Sequence, residues 1–233
     1  HQVGDGRVPV TGLSSVLAVA PGQTHHCAVL PDGTVQGWGA NSSGQLGNGT
    51  LTDSALPVVV TGLTGAVDVD VGLRHTCALL SNGAVWCWGR NLDGELGSGS
   101  VSTSSRTPAP VAGLPPAVAI SIGETHTCAV LWDGALRCWE VNGSGRLGDG
   151  SVSNAAEPVA VAEISGVASV AAGANHTCTL LEDGTVRCWG SNDAGSLGSG
   201  STVSSPIPVQ VREIRGDLLS GAVALAAGSN HTC

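Results

Sequence analysis

Apolar positions along this chain come in short bursts of strand length, each closed by Gly, Asn, Asp or Ser, and the bursts recur. The clearest pair is His75-Thr-Cys-Ala-Leu-Leu-Ser-Asn-Gly-Ala-Val-Trp-Cys-Trp-Gly89. It reads as two strands around a tight turn, with Asn82-Gly83 as the hairpin signal. If Ser81-Asn82-Gly83 forms a three-residue loop with Gly83 left-handed, Leu80 faces Ala84 and Cys77 faces Cys87. The same register sets Cys128 opposite Cys138 and Cys178 opposite Cys188. Directly opposed residues on antiparallel strands have Cα atoms about 4.5–5.5 Å apart, inside the disulfide range. A two-residue loop would put Cys77 opposite Trp88 instead. The pattern therefore predicts three hairpin disulfides.

The pattern also has a long period. The first hairpin Cys falls at 27, 77, 128, 178 and 233, and the hairpin Trp at 38, 88, 139 and 189. After each Trp comes a polar loop closing on Gly-x-Leu-Gly: Gly44–Gly47, Gly94–Gly97, Gly145–Gly148 and Gly195–Gly198. A Ser/Thr-rich stretch, a Pro-Val segment and a short apolar strand ending in Gly follow, and the hairpin begins again. This gives about four short strands per repeat and no amphipathic helix. Tandem four-stranded units of this length predict an all-β fold, a β-propeller with about four and a half blades. A parallel β-helix, the alternative, uses shorter and more uniform coils. One array fills residues 1–233. It divides into a partial repeat at 1–15, repeats near 16–65, 66–116, 117–166 and 167–221, and a truncated repeat at 222–233.

Composition narrows the function. The chain holds 35 Gly, 12% charged residues and a formal charge of −9, and contains no Lys, Met, Phe or Tyr. Nucleic-acid binding needs a basic footprint, which is missing. No apolar run approaches the roughly 20 residues of a membrane span. Six of eight Cys in facing pairs point to an oxidising compartment, so a secreted or cell-surface location is expected.

The motif Gly-x-x-His-Thr-Cys-Ala-Leu-Leu-x-x-Gly-x-Val-x-Cys-Trp-Gly-x-Asn-x-x-Gly-x-Leu-Gly resembles the regulator of chromosome condensation (RCC1) repeat. The resemblance covers nearly the whole chain in four phased copies and implies a propeller, seven-bladed in the family's namesake. That namesake exchanges guanine nucleotide on a small GTPase and docks on nucleosomes. Other members sense ultraviolet light or inhibit β-lactamases. The Cys-paired, Gly/Ser/Ala-rich version looks like exported bacterial repeat proteins. Against the namesake, this chain has fewer than five full repeats, no basic tail and hairpin cysteines. Repeat three carries Glu140 where the others have Gly after Trp, and repeat one has Gly37 in place of the second Cys.

Candidate chemistry starts with the repeated histidines His25, His75, His126, His176 and His231, each two residues before a Cys. Residues at i and i+2 share a strand face, so His75, Cys77 and Cys87 could supply three zinc ligands. No fourth ligand recurs, and the reading adopted is a hydrogen-bonding His beside a disulfide, with no metal and no cofactor. Trp38, Trp88, Trp139 and Trp189 are expected to pack between blades; Trp86 and Trp132 complete the set. Asp32, Asp133 and Asp183 precede turn glycines, where Asp serves turn geometry. Asp68 and Asp70 share a strand face without forming a calcium loop. No serine elbow or phosphate-binding glycine loop is present. The Asn-x-Ser/Thr sequons at Asn41, Asn48, Asn142, Asn175 and Asn230 suit chance in so polar a chain.

The expected function is a non-catalytic extracellular binding or structural scaffold. A protein or glycan ligand would meet the Ser/Thr-rich loops at 48–56, 97–108, 148–157 and 198–206. The alternatives are a guanine-nucleotide exchange factor for a small GTPase and a secreted propeller-type enzyme inhibitor. Cys27 and Cys233 are expected to be unpaired or externally paired. Residues 1–6 look like the tail of a repeat, and the last strand stops at Cys233. Completion by residues outside the stretch, or by head-to-tail self-association into an oligomer or filament, is expected.

Overall fold

The computed structural model describes residues 10–214 and 216–233. The expectation for residues 1–6 lies outside the described residues. Four antiparallel four-stranded sheets follow one another along the chain, one per repeat, and the fold is all-β. The first sheet holds β1 (Ala18–Pro21), β2 (His25–Val29), β3 (Val35–Gly39) and β4 (Ser54–Val59). The second holds β5 (Ala66–Val71), β6 (His75–Leu80), β7 (Val85–Arg90) and β8 (Ser104–Pro110). The third holds β9 (Ala117–Ile122), β10 (His126–Leu131), β11 (Leu136–Glu140) and β12 (Ala155–Ala160). The fourth holds β13 (Val167–Ala172), β14 (His176–Leu181), β15 (Val186–Gly190) and β16 (Ser205–Gln210). Each sheet is a simple up-and-down meander.

The hairpins owe their register to the turn. Gly83 takes φ 83°, Leu80 N–H donates to Ala84 O at 2.9 Å, and the Asn82 side chain accepts from Ala84 N–H at 3.0 Å. Only glycine adopts that left-handed backbone without steric cost. Cys77 thus lies opposite Cys87, Cys128 opposite Cys138 and Cys178 opposite Cys188. All three pairs are disulfide-bonded, with Cα atoms 4.1, 4.1 and 4.0 Å apart.

The apolar cores lie between sheets. Cys77, Leu79, Val85, Cys87 and Leu96 of the second repeat pack on Ala117, Ile120, Ile122, Ala129, Leu131 and Trp139 of the third. Equivalent clusters join repeat one to two, three to four, and four to Ala222 and Leu225. The first strands β1, β5, β9 and β13 touch one another from sheet to sheet, so they line the axis and the fourth strands lie outermost. This is how propeller blades bury a hydrophobic face that no single sheet could cover alone.

A meander sends its odd and even connections to opposite ends. The β1–β2 and β3–β4 loops, with their counterparts, form one face of the molecule, the loop face. The hairpin turns and the inter-sheet links form the other, the turn face. Turn-face links are stitched by backbone bonds such as Ala66 N–H to Gly33 O and Ala117 N–H to Gly83 O. On the loop face Gly49, Gly99 and Gly150 each donate to the outer strand of the next sheet, at 3.0 Å.

Candidate binding face at the repeat joints

Four of the repeated histidines, His25, His75, His126 and His176, are buried and reach into the next repeat. His25 Nε2 lies 2.8 Å from Thr76 Oγ1, His126 Nε2 2.8 Å from Thr177 Oγ1, and His176 Nε2 3.0 Å from Thr232 Oγ1. The threonines donate onward to Gln45 O, Arg146 O and Ser196 O. Each hydroxyl has one proton and has spent it, so the histidine donates through Nε2. Burial pushes His25 down to about 3 and holds His126 well below its ordinary range. The same carbonyls receive the indoles: Trp88 Nε1–H donates to Gln45 O and Trp189 Nε1–H to Arg146 O. Trp139 donates to Glu95 O. These three Trp are fully buried between blades. Trp38 departs from that expectation: it is half-buried and tilts against His26 with ring centroids 5.6 Å apart.

This joint also explains the Gly-x-x-His motif. A Cβ at Gly72, Gly123, Gly173 or Gly228 would overlap the imidazole of the histidine three residues on. At Gly72, Gly123 and Gly173 it would also press on the carbonyl of the next repeat's glycine. The zinc alternative is therefore not assembled: the histidine rings face threonines of the next sheet and the cysteines bond each other. Among the described residues no cluster of three metal-ligating side chains occurs.

One joint is built differently. In repeat three Thr127 Oγ1 donates not to Glu95 O but to Glu140 Oε1, at 2.7 Å. His75 Nε2 stands 3.1 Å from both Thr127 Oγ1 and Glu140 Oε1. Glu140 is completely buried, its Oε2 has no hydrogen-bond partner, and its backbone sits at φ 94°. The equivalent residues Gly39, Gly89 and Gly190 have φ of 108°, 106° and 102°. Burial alone would lower His75, but Glu140, with Glu95 and Asp70 behind it, outweighs this and raises the imidazole above its ordinary value. Burial raises Glu140, with His75 and Thr127 opposing. Burial likewise pushes the Asp70 carboxyl up to about 6, although it accepts from Ile122 N–H across the joint at 2.7 Å.

Two adjoining cavities open on the loop face. A cavity of about 250 Å³ at the axis is walled by the ends of the first strands and the turns Gly22-Gln23, Gly72-Leu73, Gly123-Glu124, Gly173-Ala174 and Gly228-Ser229. Gln23 Nε2–H donates to Glu124 Oε1 at 3.0 Å, tying repeat one to repeat three. A second cavity, about 350 Å³, lies between repeats two and three, lined by Leu73, Arg74, His75, Arg90, Glu95 and Glu124, with Leu92 at its rim. Arg90 pairs with Asp93 at 2.8 Å and Glu95 at 3.1 Å. Sequence reasoning did not single out these dipeptides. The available signal was that two positions vary freely between a repeated Gly and a repeated His.

The loops at 48–56, 97–108, 148–157 and 198–206 are partly committed to the scaffold. Asn41, buried, accepts from Leu46 N–H and donates to Thr50 O and Thr52 O; Asn91, Asn142 and Asn192 play the same part. The sequon residues Asn41 and Asn142 are thus fully buried. Cys27 faces Gly37, is buried and free, and burial pushes its thiol up to about 12. Cys233 is free and exposed, and His231 is exposed. Trp132, 71% exposed, lies on the turn face.

The sequence profile of the regulator of chromosome condensation (RCC1) repeat matches residues 32–79, 82–130, 133–180 and 183–233. A second profile of the same repeat matches 16–45, 66–95 and 167–196. The chain belongs to the RCC1 repeat family. Among solved structures it is similar to Prp20p from Saccharomyces cerevisiae, at 22% identity and TM-score 0.82, over 96% of this chain and 56% of that one. It is also similar to human WBSCR16, at 23% identity and TM-score 0.78, over 92% of this chain and 56% of that one. A third is the ectodomain of the receptor kinase CR4 from Physcomitrella patens, at 21% identity and TM-score 0.51, over 93% and 48%. The chain spans about half the length of the structures it matches. Similarity at this level concerns the fold, a propeller.

Proposed function

We propose that this chain is a disulfide-stapled RCC1-repeat scaffold of the exported, Cys-paired kind that binds a protein partner on its loop face, outside the cytoplasm. The observation that carries the reading is the pair of adjoining loop-face cavities. They are walled by Gln23, Leu73, Arg74, Glu124, Ala174 and Ser229, which differ from repeat to repeat, on a frame whose Gly, His and Trp do not. Rigid frames that hold variable loops are the usual architecture of recognition. Three disulfides support an oxidising location. A related propeller is described as binding proteins: Prp20p with Gsp1p and histones and, in a second structure, with Kap60. The reading is non-catalytic: it assigns the cavity walls to partner contact.

The test screens the immobilised chain against extracellular protein and glycan panels, then repeats each hit with two variants. Arg74→Glu with Glu124→Arg alters the loop face; Trp132→Ser with Val118→Ser alters the turn face. Protein hits lost only on the first variant support the reading. Hits lost only on the second, or glycan hits alone, reject it. A fluorescent-nucleotide release assay with small GTPases runs alongside, and catalytic acceleration there would replace this reading with the exchange-factor one.

A further inference from the structure

We propose that the joint between repeats two and three is a proton-controlled hinge: His75 and Glu140 share one proton across it, and losing that proton loosens the joint and reshapes the cavity it walls. The inference starts from the irregularity of Glu140. Three repeats place glycine at this position, where the backbone is left-handed; repeat three places a glutamate there at φ 94°. A non-glycine residue in that region costs about 1–2 kcal/mol. A buried carboxylate with one oxygen unpartnered adds a desolvation penalty. Local strain that brings no packing gain points to a role beyond stability.

That role follows from what surrounds the pair. Glu140 comes from β11 of repeat three and His75 from β6 of repeat two, so their contact spans the joint. Facing them are Asp70 on β5, Glu95 and Arg90 on the second repeat, and Glu124, His126 and Arg146 on the third. Arg90 is engaged by Asp93 and Glu95. Arg146 Nη1–H donates to Thr125 at 2.8 Å, and its charge acts on Glu140 without a hydrogen bond to it. With the proton in place, the pair is either imidazolium with carboxylate or imidazole with carboxylic acid, and Glu140 Oε1 is satisfied by His75 and Thr127. With the proton removed, a half-satisfied carboxylate stays buried beside a neutral imidazole, with Glu95 and Asp70 adding like charge. The Arg146 charge offsets part of that cost, but it gives the free oxygen of Glu140 no hydrogen bond, and opening of the joint does.

The signs agree. The folded-state values of His75, Glu140 and Asp70 are all raised. For His75 the stabilisation is complete below the ordinary histidine value and is lost as pH climbs through the raised one. For Glu140 and Asp70, ionisation in the folded state is the cost, and it too grows as pH climbs. The joint is therefore tight in acid and loose in alkali. His75 also lines the cavity between repeats two and three, so hinge opening alters the surface offered to a partner; this last step rests on the loop-face reading above.

Native-state hydrogen exchange tests the hinge without any ligand. Two backbone N–H groups report directly: Leu73 donates to Glu124 O at 3.1 Å and Ile122 to Asp70 Oδ2 at 2.7 Å, both across this joint. Ala172, which donates to Ser121 Oγ at 3.1 Å, reports on the joint between repeats three and four. Protection is measured relative to the exposed-amide rate at each pH. Between about pH 6 and pH 9, protection at Leu73 and Ile122 should fall about tenfold or more, as expected for one linked proton, while Ala172 stays level. Glu140→Gly restores the residue the other repeats use, and it should fold and abolish the pH dependence; Glu140→Gln should do the same. A flat profile in the wild-type chain, or an unchanged slope in Glu140→Gly, overturns the hinge whether or not any ligand is found. A failed ligand screen leaves the exchange result standing.

Discussion

The joint between repeats one and two and the joint between repeats two and three have the same architecture and opposite electrostatics. In the first, His25, Thr76 and Gln45 O form a neutral relay, with Trp88 donating to the same carbonyl. In the second, Thr127 turns from the backbone to Glu140, and the histidine acquires an ionisable partner. A neutral relay satisfies every group at no electrostatic cost. A charged one must keep its proton to stay closed. One residue, Glu140 for glycine, makes the difference. The fold tolerates it because the Trp, Gly and disulfide contacts around it are unchanged.

The largest effects should come from what both joints share. Gly72→Ala places a Cβ inside the His75 ring and 3.0 Å from Gly123 O, so neither side chain nor backbone can yield. We expect a loss of about 3 kcal/mol or more in urea unfolding. Gly143→Ala, where nothing lies within 4 Å, should change stability by less than about 0.5 kcal/mol. Equal, small effects at both positions would show that the glycine–histidine contact does not set the spacing between repeats.

Removing the histidines separates the joints. His126→Ala should cost about 2 kcal/mol, from a lost hydrogen bond and a small cavity, because Thr177 keeps its bond to Arg146 O. His75→Ala should cost about 3–5 kcal/mol, because it strands the buried Glu140 carboxylate. In a Glu140→Gly background the two costs should converge. The pH slopes should also oppose each other. His25 is depressed to about 3, so the stabilisation in joint one is present above the ordinary histidine value and lost as pH falls toward about 3. Joint two weakens in the other direction. Exchange profiles of the two joints with the same slope would remove the distinction.

How much of this was readable in advance differs by element. The hairpin register was legible, because a three-residue loop with a left-handed Gly83 leaves only one pairing for Cys77. The blade count within the chain was legible from the spacing of Cys and Trp. The role of the histidines was not, because it depends on a threonine one full repeat away, and local pattern carries no information about which sheet packs on which. Glu140 stood out as a departure, but its partner, His75, lies 65 positions earlier, and only the packing of the second sheet on the third brings them together. Likewise the dipeptides around the axis look like ordinary loop residues until the first strands are seen to converge.

Repeat one offers a way to add what it lacks. A Cβ on Gly37 would stand 3.3 Å from Cys27 Sγ and 3.3 Å from Leu46 Cδ2, in the register that holds the other disulfides. Gly37→Cys should therefore form a fourth hairpin disulfide. It should raise stability by roughly 2 kcal/mol on the chain-entropy account, less some crowding of Leu46. Mass spectrometry of the oxidised variant should show one free thiol, Cys233, instead of two. Three free thiols would mean that the backbone of repeat one is held differently from the others.

The finest comparison concerns the two carbonyls that receive the indoles. Gln45 O accepts from both Thr76 and Trp88, whereas Glu95 O accepts from Trp139, Thr127 having turned to Glu140. Replacing Trp by Phe keeps most of the apolar contact and deletes the N–H donor. Trp88→Phe leaves its carbonyl with one partner and should cost about 1 kcal/mol. Trp139→Phe leaves a buried carbonyl without a side-chain donor, so about 2 kcal/mol is expected. In Glu140→Gly, Thr127 is free to turn back to Glu95 O, and the cost of Trp139→Phe should drop to that of Trp88→Phe. Unfolding curves on the four variants decide it. If Trp139→Phe costs the same with and without Glu140, then Thr127 does not exchange partners and the second joint is not a rewired copy of the first.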